Sequence, residues 1–356
     1  MAWAFKDGYA VAMKANPYSV HKQTVLANRL AFALWANQNQ QHDILSALRA
    51  EEVNIDDIPG ERVPLDLVTE EIQAAARLSK EPQLGMKILD LVDIRITSLY
   101  QAMQKALHGL LHENIQLPQV MLFRLIARYF HILSEVVELD VVLNQSQIRL
   151  LFHPRNPENY SYHQVEGAVY GLLKLVEVLN NQLPQQVSFA HVPDAIDYDL
   201  YRQCLKVTPQ FNARQTCLTY QLEAPEDEQQ NLPILLNPVV NLHDQNFPDQ
   251  DYAQRCELLL KTILGFVEPS REAIANILSL SVSTLQRRLR ECDTNFNEVL
   301  LKVRKQQVEE YLKNTDFNSE QLAFLLGYKA KSQFLKAFRQ WYEMTPSEYR
   351  KQKKSP

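Results

Sequence analysis

A short pattern recurs 48 residues apart near the C-terminus, and no other feature constrains the fold as strongly. The first copy runs Ala275-Asn276-Ile277-Leu278-Ser279 and continues into Thr284-Leu285-Gln286-Arg287-Arg288-Leu289. The second runs Ala323-Phe324-Leu325-Leu326-Gly327 and continues into Gln333-Phe334-Leu335-Lys336-Ala337-Phe338. Each reads as a short apolar helix, a tight turn, and a second helix with apolar residues four apart and basic residues between them. That is a helix-turn-helix, the unit whose second helix enters the major groove of DNA. A lone basic helix reads as a solvated surface. Two in register read as a pair of DNA readers.

Net charge sharpens the point once it is divided along the chain. The 356 residues carry −5 overall, which as an average argues against nucleic acid. Residues 256–356, however, hold 17 Lys and Arg against 12 Asp and Glu, a net of +5. The first 255 residues hold 20 against 30, a net of −10. Attraction to phosphate is thereby confined to one module.

The length suits two or three domains. Cys204, Cys217, Cys256 and Cys292 are scattered with no C-x-x-C pair and read as reduced thiols. No apolar run reaches the roughly 18 residues of a membrane span, and Met1–Gly8 lacks a signal-peptide pattern. The expectation is a cytoplasmic chain with no membrane partner. Eight glycines, with no GxGxxG or Walker-type sequence, speak against nucleotide folds, and no nucleophile–base spacing suggests catalysis. No enzyme activity, catalytic residue, metal or cofactor is expected.

Residues 20–130 read mostly as helix, with Leu26, Leu30, Ala33 and Leu34 on one face, then Ile88, Leu91, Val92 and Ile94, then Leu122, Leu125, Ile126 and Tyr129. Near residue 135 the period drops to two. Val137, Leu139, Val141 and Leu143 alternate, as do Ile148, Leu150 and Phe152, which predicts a hairpin or a longer loop about Asn144-Gln145. Tyr162–Leu183 is helical again and stops before Pro184; Val187–His191 and Thr216–Tyr220 are further strand candidates. These patterns predict an α+β domain over residues 1–242. The polar stretch His243–Asp251 is the expected linker, and residues 252–356 form the expected all-α double helix-turn-helix domain.

In Val282–Glu291, a rotation of about 100° per residue puts Val282, Leu285 and Leu289 on the buried side. Ser283, Arg287 and Arg290 then point away, flanked by Thr284 and Gln286. Arg can bond guanine and Gln adenine through paired hydrogen bonds, so Gln286 and Arg287 are the candidate base readers. In the second copy Phe334, Phe338 and Trp341 face inward, while Lys331, Ser332, Lys336 and Arg339 lie outward near Leu335. Between the copies, Phe296, Val299, Leu300, Val303, Val308, Tyr311 and Leu312 mark one long helix. Its span of about 27 Å is comparable to one DNA turn, so a single chain can present both readers.

Ser281-Val-Ser-Thr-Leu-Gln-Arg-Arg-Leu-Arg, Leu322-Ala-Phe-Leu-Leu-Gly-Tyr, Phe334-Leu-Lys-Ala-Phe and Thr345-Pro-Ser-Glu-Tyr-Arg350 together resemble the AraC/XylS family of bacterial transcription regulators. Arg62-Val-Pro-Leu65, Glu81-Pro-Gln-Leu-Gly85 and Val187-Ser-Phe-Ala-His191 resemble the arabinose-binding-type regulatory domain of a subgroup that includes ornithine-utilisation regulators. The resemblance implies promoter DNA and RNA polymerase as partners, a small-molecule effector, a homodimer formed through the N-terminal domain, and activation rather than repression. The family's usual glycines are replaced here by Ser279, Asp293 and Glu343. If those backbones stay left-handed, each replacement costs roughly 1–2 kcal/mol. The second reading helix starts with Lys329-Ala330-Lys331, two cations where the family has a cap and a proline.

Other constellations are weaker. His108 and His112 with Glu113 can share a helix face but lack a third metal ligand, and read as a solvated pair. In the segment His153–Tyr160, Arg155 is a candidate partner for an effector carboxylate, against the plainer reading of a rigid loop. His191 is a second effector-site candidate, against a core histidine. The expected mechanism is an effector that shifts the population competent to bind DNA. The alternative is a constitutive regulator whose N-terminal domain serves only dimerisation or protein contact, compatible with the acidic, Gln-rich stretch Glu226–Gln230.

Overall fold

The computed structural model describes residues 18–51, 54–112, 119–143, 146–222, 232–247, 250–265, 267–314 and 317–354. Asn144-Gln145, the side chains of His108 and His112, Glu113, and Glu226–Gln230 lie outside the described residues. The chain divides into two compact units, one of residues 1–105 with 119–223, the other of residues 106–118 with 224–356.

The first unit opens with β1 (Ser19–His21), α1 (Lys22–Gln38), α2 (His42–Glu51), β2 (Arg62–Pro64), α3 (Leu65–Ser79) and α4 (Leu84–Asp90). Helix α5 (Ser98–His112) then leads to α6 (Gln119–Leu133), β3 (Val137–Leu143) and β4 (Gln147–Pro154). It finishes with α7 (Tyr162–Asn180), β5 (Gln186–Ser188), α8 (Tyr198–Leu205) and β6 (Thr216–Gln221). Strands β3-β4-β6-β5 form one antiparallel sheet in that order, and β1 pairs antiparallel with β2. The α+β expectation for this part holds.

The hairpin register pairs Val141 with Leu150 and Leu139 with Phe152, all buried, as the alternation requires. Val142 and Leu151, of opposite parity, are buried as well, so the centre of the sheet is covered on both faces. Helix α6 is buried on nearly every side, with Leu122, Leu125, Ile126 and Tyr129 all inside, and Phe123 packs against Tyr220 of β6 with ring centroids 4.9 Å apart. Helix α7 starts at Ser161, whose backbone N–H donates to Gln164 Oε1 at 3.4 Å, and ends where Asn181 turns left-handed at φ 49°.

The expected face of α1 is the wrong one. Leu26, Leu30 and Leu34 are 52, 61 and 44 % exposed, and the helix instead buries Val25, Phe32, Trp35 and Ala36. Apolar residues stand on more than one side of the segment, so its period names no single face, and the bulkier Phe32 and Trp35 take the core with Leu45, Leu48 and Ile88.

Two of the three N-terminal segments that carry the resemblance meet at the first turns of α7. Gly85 lies so close to the His163 carbonyl that an added Cβ would stand 1.9 Å from its oxygen. Gln83 donates to the Ala195 carbonyl, and His191 lies 3.1 Å from Glu166, a fully buried carboxylate that also accepts from the Tyr201 hydroxyl. The third segment contributes Arg62, which donates to Ser19 and pairs with Glu135, tying β1 and β2 to the end of α6.

The second unit holds α9 (Leu232–Asn246), α10 (Tyr252–Ile263), α11 (Arg271–Ile277), α12 (Val282–Glu291), α13 (Phe296–Asn314), α14 (Ser319–Leu325), α15 (Lys331–Tyr342) and α16 (Pro346–Lys354). The first four residues of the expected linker, 243–246, are the last turn of α9, and His243 is buried there, its ring tilted against that of Phe247 at 5.1 Å. A polar composition does not by itself end a helix. Helix α13 lies against both α10 and α16. It buries Phe296, Val299, Leu300, Val303, Val308, Tyr311 and Leu312, the seven residues its period marks.

Candidate functional site

The two copies of the C-terminal pattern fold into the same turn, hydrogen bond for hydrogen bond. In the first, Leu278 N donates to Ile274 O, Ser279 N to Asn276 O and Leu280 N to Ala275 O, at 2.8–3.0 Å. In the second, Leu326 N donates to Leu322 O, Gly327 N to Phe324 O and Tyr328 N to Ala323 O, at 2.9–3.0 Å. The left-handed residue is Ser279 at φ 55° in one and Gly327 at φ 68° in the other. The second turn is one residue longer, which puts Phe334 and Phe338 in the places of Leu285 and Leu289.

Helix α12 is capped by Ser281, whose Oγ accepts from Thr284 N at 3.1 Å. Its Leu285 and Leu289 are fully buried, worth about 1.5–3 kcal/mol each. The outward residues are those the rotation predicts: Ser283, Arg287 and Arg290 are exposed, with Thr284 and Gln286 half-buried beside them. Arg287 stands 3.8 Å from Glu291, a loose surface contact of little worth. Arg288 turns back over the Tyr252 ring at 5.3 Å, so it braces α12 against α10.

Helix α15 presents Lys331, Ser332, Lys336 and Arg339 to solvent, with Leu335 half-buried. Phe334 and Phe338 are fully buried, whereas Trp341 is only half-buried, less inward than its spacing predicts. Ala330 stands at the N-cap with no side-chain hydrogen bond, so the first N–H groups of α15 lack the cap that Ser281 gives α12. Lys329 pairs with Glu268 at 3.0 Å. The turn is held from α13 instead. Arg304 donates to the carbonyls of Leu326 and Gly327 at 2.9 and 3.1 Å and lies 4.1 Å from the centre of the Tyr328 ring. Sequence reading missed Arg304, whose only signal is a cation inside the apolar period of α13.

All three positions where the family has glycine are left-handed: Ser279 at 55°, Asp293 at 52° and Glu343 at 58°. Each is exposed. The left-handed backbone expected at these positions is present, and with it the strain of holding a side chain there.

The first unit holds a half-open cavity of about 490 Å³, within the range of small-molecule sites. Helices α1, α3, α4 and α7 supply most of its wall, with Gly167, Ala168 and Gly171 of α7 leaving room. Its charged side chains are Arg29 and Glu71, which are paired with each other. His163 also lines it, and burial holds its pKa down to about 4, so it is neutral at pH 7. Neither residue proposed from sequence lies in this wall. Arg155 pairs with Glu138 at 2.9 Å and lies over the Tyr18 ring, and His191 is engaged by Glu166. The cavity was not legible in the sequence because its lining comes from segments far apart in the chain. The small residues of α7 were its one local sign.

All four cysteines are free, with Cys204, Cys217 and Cys256 buried, and burial pushes the Cys256 thiol up to about 12. Among the described residues no helix is long and apolar enough to cross a membrane.

Comparison with known proteins agrees with both halves. Residues 274–352 match the family described as a helix-turn-helix domain, and residues 123–225 match the arabinose-binding domain of AraC transcription regulators. The ornithine utilization regulator of Pseudomonas aeruginosa is 27 % identical over 300 residues, covering 78 % of this chain and 81 % of that protein. The HTH-type transcriptional regulator VirS of Mycobacterium tuberculosis is 34 % identical over 110 residues, 31 % of this chain and 32 % of that one. The HTH-type transcriptional regulator GadX of Escherichia coli is 36 % identical over 76 residues, 21 % of this chain and 28 % of its own. These relatives are regulators rather than enzymes, and the repeated turn with its basic outward helices accounts for the kinship physically: the chain is a DNA-binding transcription regulator of the AraC family, with an arabinose-binding-type domain ahead of its helix-turn-helix domain.

Proposed function

We propose that the chain is an effector-controlled activator in which α12 and α15 read adjacent segments of promoter DNA. Gln286 and Arg287 touch base edges, with Ser283, Thr284 and Arg290 beside them, while Lys331, Ser332, Leu335, Lys336 and Arg339 engage the second segment, mostly its phosphates. RNA polymerase is the partner of the DNA-bound form. In domain terms, residues 1–242 sense, 243–251 connect and 252–356 bind DNA. The observation that carries the sensing role is the 490 Å³ cavity within the first unit. A ligand bound there shifts the population competent for DNA by its preference for one arrangement of those helices.

A second reading, protein contact without an effector, is favoured by one observation. Leu26, Leu30 and Leu34 form an exposed apolar ridge four residues apart along α1, the kind of surface a homodimer covers.

The test is the full chain with Gly171→Phe, which fills the cavity from a position whose nearest neighbour to an added Cβ is Leu89 at 3.7 Å. A sensor so blocked loses the growth-condition dependence of a promoter reporter while keeping operator affinity in vitro. A reporter that responds as in the wild type overturns the effector reading and leaves the protein-contact one.

A further inference from the structure

Resting on the sensing role proposed above, we infer that the cavity takes an apolar monocarboxylate whose carboxylate engages Arg29 in place of Glu71. The wall decides the ligand's body. Phe32, Val68, Ile72, Ile88, Leu89 and Leu172 line it, Ile72 and Leu89 partly buried and the others buried. Gln23, Thr24, Asn28, Ser98, Gln101 and Gln164 also line it, so polar partners are present but apolar side chains supply most of the wall, and each sugar hydroxyl set against those loses water without a partner.

The charges decide the head. Arg29 and Glu71 are the charged side chains in the wall, and His163 is neutral at pH 7. The pair joins α1 to α3: Arg29 Nε donates to Glu71 Oε2 at 3.1 Å and Nη2 donates to Oε1. A diamino acid brings two ammonium groups to a wall with one carboxylate, which a guanidinium already occupies. A monocarboxylate makes a like-for-like exchange. It presents the same planar pair of oxygens to the same guanidinium, and Glu71, whose side chain is 18 % exposed, turns outward to water. An ammonium replacing Arg29 would instead trade a two-pronged contact for a point charge. The fork of the Arg29 guanidinium therefore selects a planar anion, and the mostly apolar wall selects what is attached to it.

The experiment uses the full-length protein at pH 7 and reads binding by calorimetry with decanoate, decanamide, L-ornithine and L-arabinose. Decanoate is expected to bind at least about tenfold more tightly than decanamide, the value of one charge-assisted pair. Arg29→Gln should bring decanoate down to the affinity of decanamide. Glu71→Gln, which removes the competitor for Arg29, should tighten decanoate several-fold and leave decanamide unchanged. A purely structural role for the pair would move both variants in the same direction. Gly171→Phe should abolish binding of either decyl compound, which separates the cavity from surface adsorption.

Equal binding of acid and amide, or weaker binding to Glu71→Gln, overturns the exchange at Arg29. Binding of ornithine or arabinose with decanoate silent overturns the ligand class while sparing the effector role. Silence of all four overturns the class as well, and the reporter behaviour of Gly171→Phe then still decides the effector role on its own.

Discussion

Replacing Ser279, Asp293 and Glu343 together with glycine should stabilise the DNA-binding unit. All three are exposed and sit at φ between 52° and 58°, where a Cβ crowds the following carbonyl. The left-handed region costs a residue with a side chain roughly 1–2 kcal/mol, least for Asp. Glycine gives back about 0.4–1 kcal/mol through the greater freedom of the unfolded chain. The net is about 0.5–1 kcal/mol at each site and about 2 kcal/mol for the triple, since the three sites share no contacts and should add. At about 4–8 °C per kcal/mol, thermal unfolding of residues 232–356 followed by circular dichroism should rise by about 10 °C. Gly327→Ala is the opposing control. Its φ is 68°, and an added Cβ would stand 3.1 Å from Leu264 Cδ2 and from Pro269 Cδ, so it should destabilise. DNA affinity should stay within a factor of a few for the triple, because none of the three belongs to the reading surface. A melting point unchanged or lowered by the triple, or a Gly327→Ala variant as stable as the wild type, would refute the strain argument.

Gly85→Ala should destabilise the first unit by about 3 kcal/mol or more in urea unfolding, because its Cβ would fall 1.9 Å from the His163 carbonyl oxygen and one of the two helices must move. His163 is buried and neutral, with a pKa near 4 against 6.5 in the unfolded chain, so the unfolded state takes the proton first as pH falls. Stability should drop between about pH 6.5 and 4, by roughly 3 kcal/mol at most from this group, and His163→Gln should flatten that part of the profile. Arg304→Ala should cost about 1.5–3 kcal/mol by freeing the carbonyls of Leu326 and Gly327, and Arg304→Lys should not restore it, since an ammonium cannot reach both carbonyls and stack on Tyr328.

The C-terminal half is legible because local rules agree there. One rotation per residue puts Leu285 and Leu289 inside and Arg287 and Arg290 outside, and a short turn between two helices leaves the backbone few choices. Even the left-handed residues follow from where the family keeps glycine. Helix α1 is not legible in the same way, since Leu26, Leu30 and Leu34 compete with Phe32 and Trp35 on one apolar segment and only tertiary packing picks the winner. The strand order β3-β4-β6-β5 and the cavity are non-local. Gln147–Pro154 pairs with Thr216–Gln221 across a helix-containing connection, and Arg29 meets Glu71 across 42 residues, so no window of sequence contains either. Arg155 and His191, the effector-site candidates by chemistry, each have a partner in the fold, Glu138 and Glu166, which no sequence window shows.

The measurement that tests the central claim most directly is DNA affinity of the full chain as a function of salt, on its protected promoter segment and on a scrambled duplex, for the wild type, Arg287→Ala and Lys331→Ala. The wild type should lose affinity steeply with salt as counterions are released. Arg287→Ala should lose about 1–3 kcal/mol on the promoter and little on the scrambled duplex, whereas Lys331→Ala should weaken both alike and reduce the salt slope by about one. A folded protein without salt-sensitive DNA binding would contradict the account, and equal, sequence-independent losses for the two variants would remove α12 as the base-reading helix.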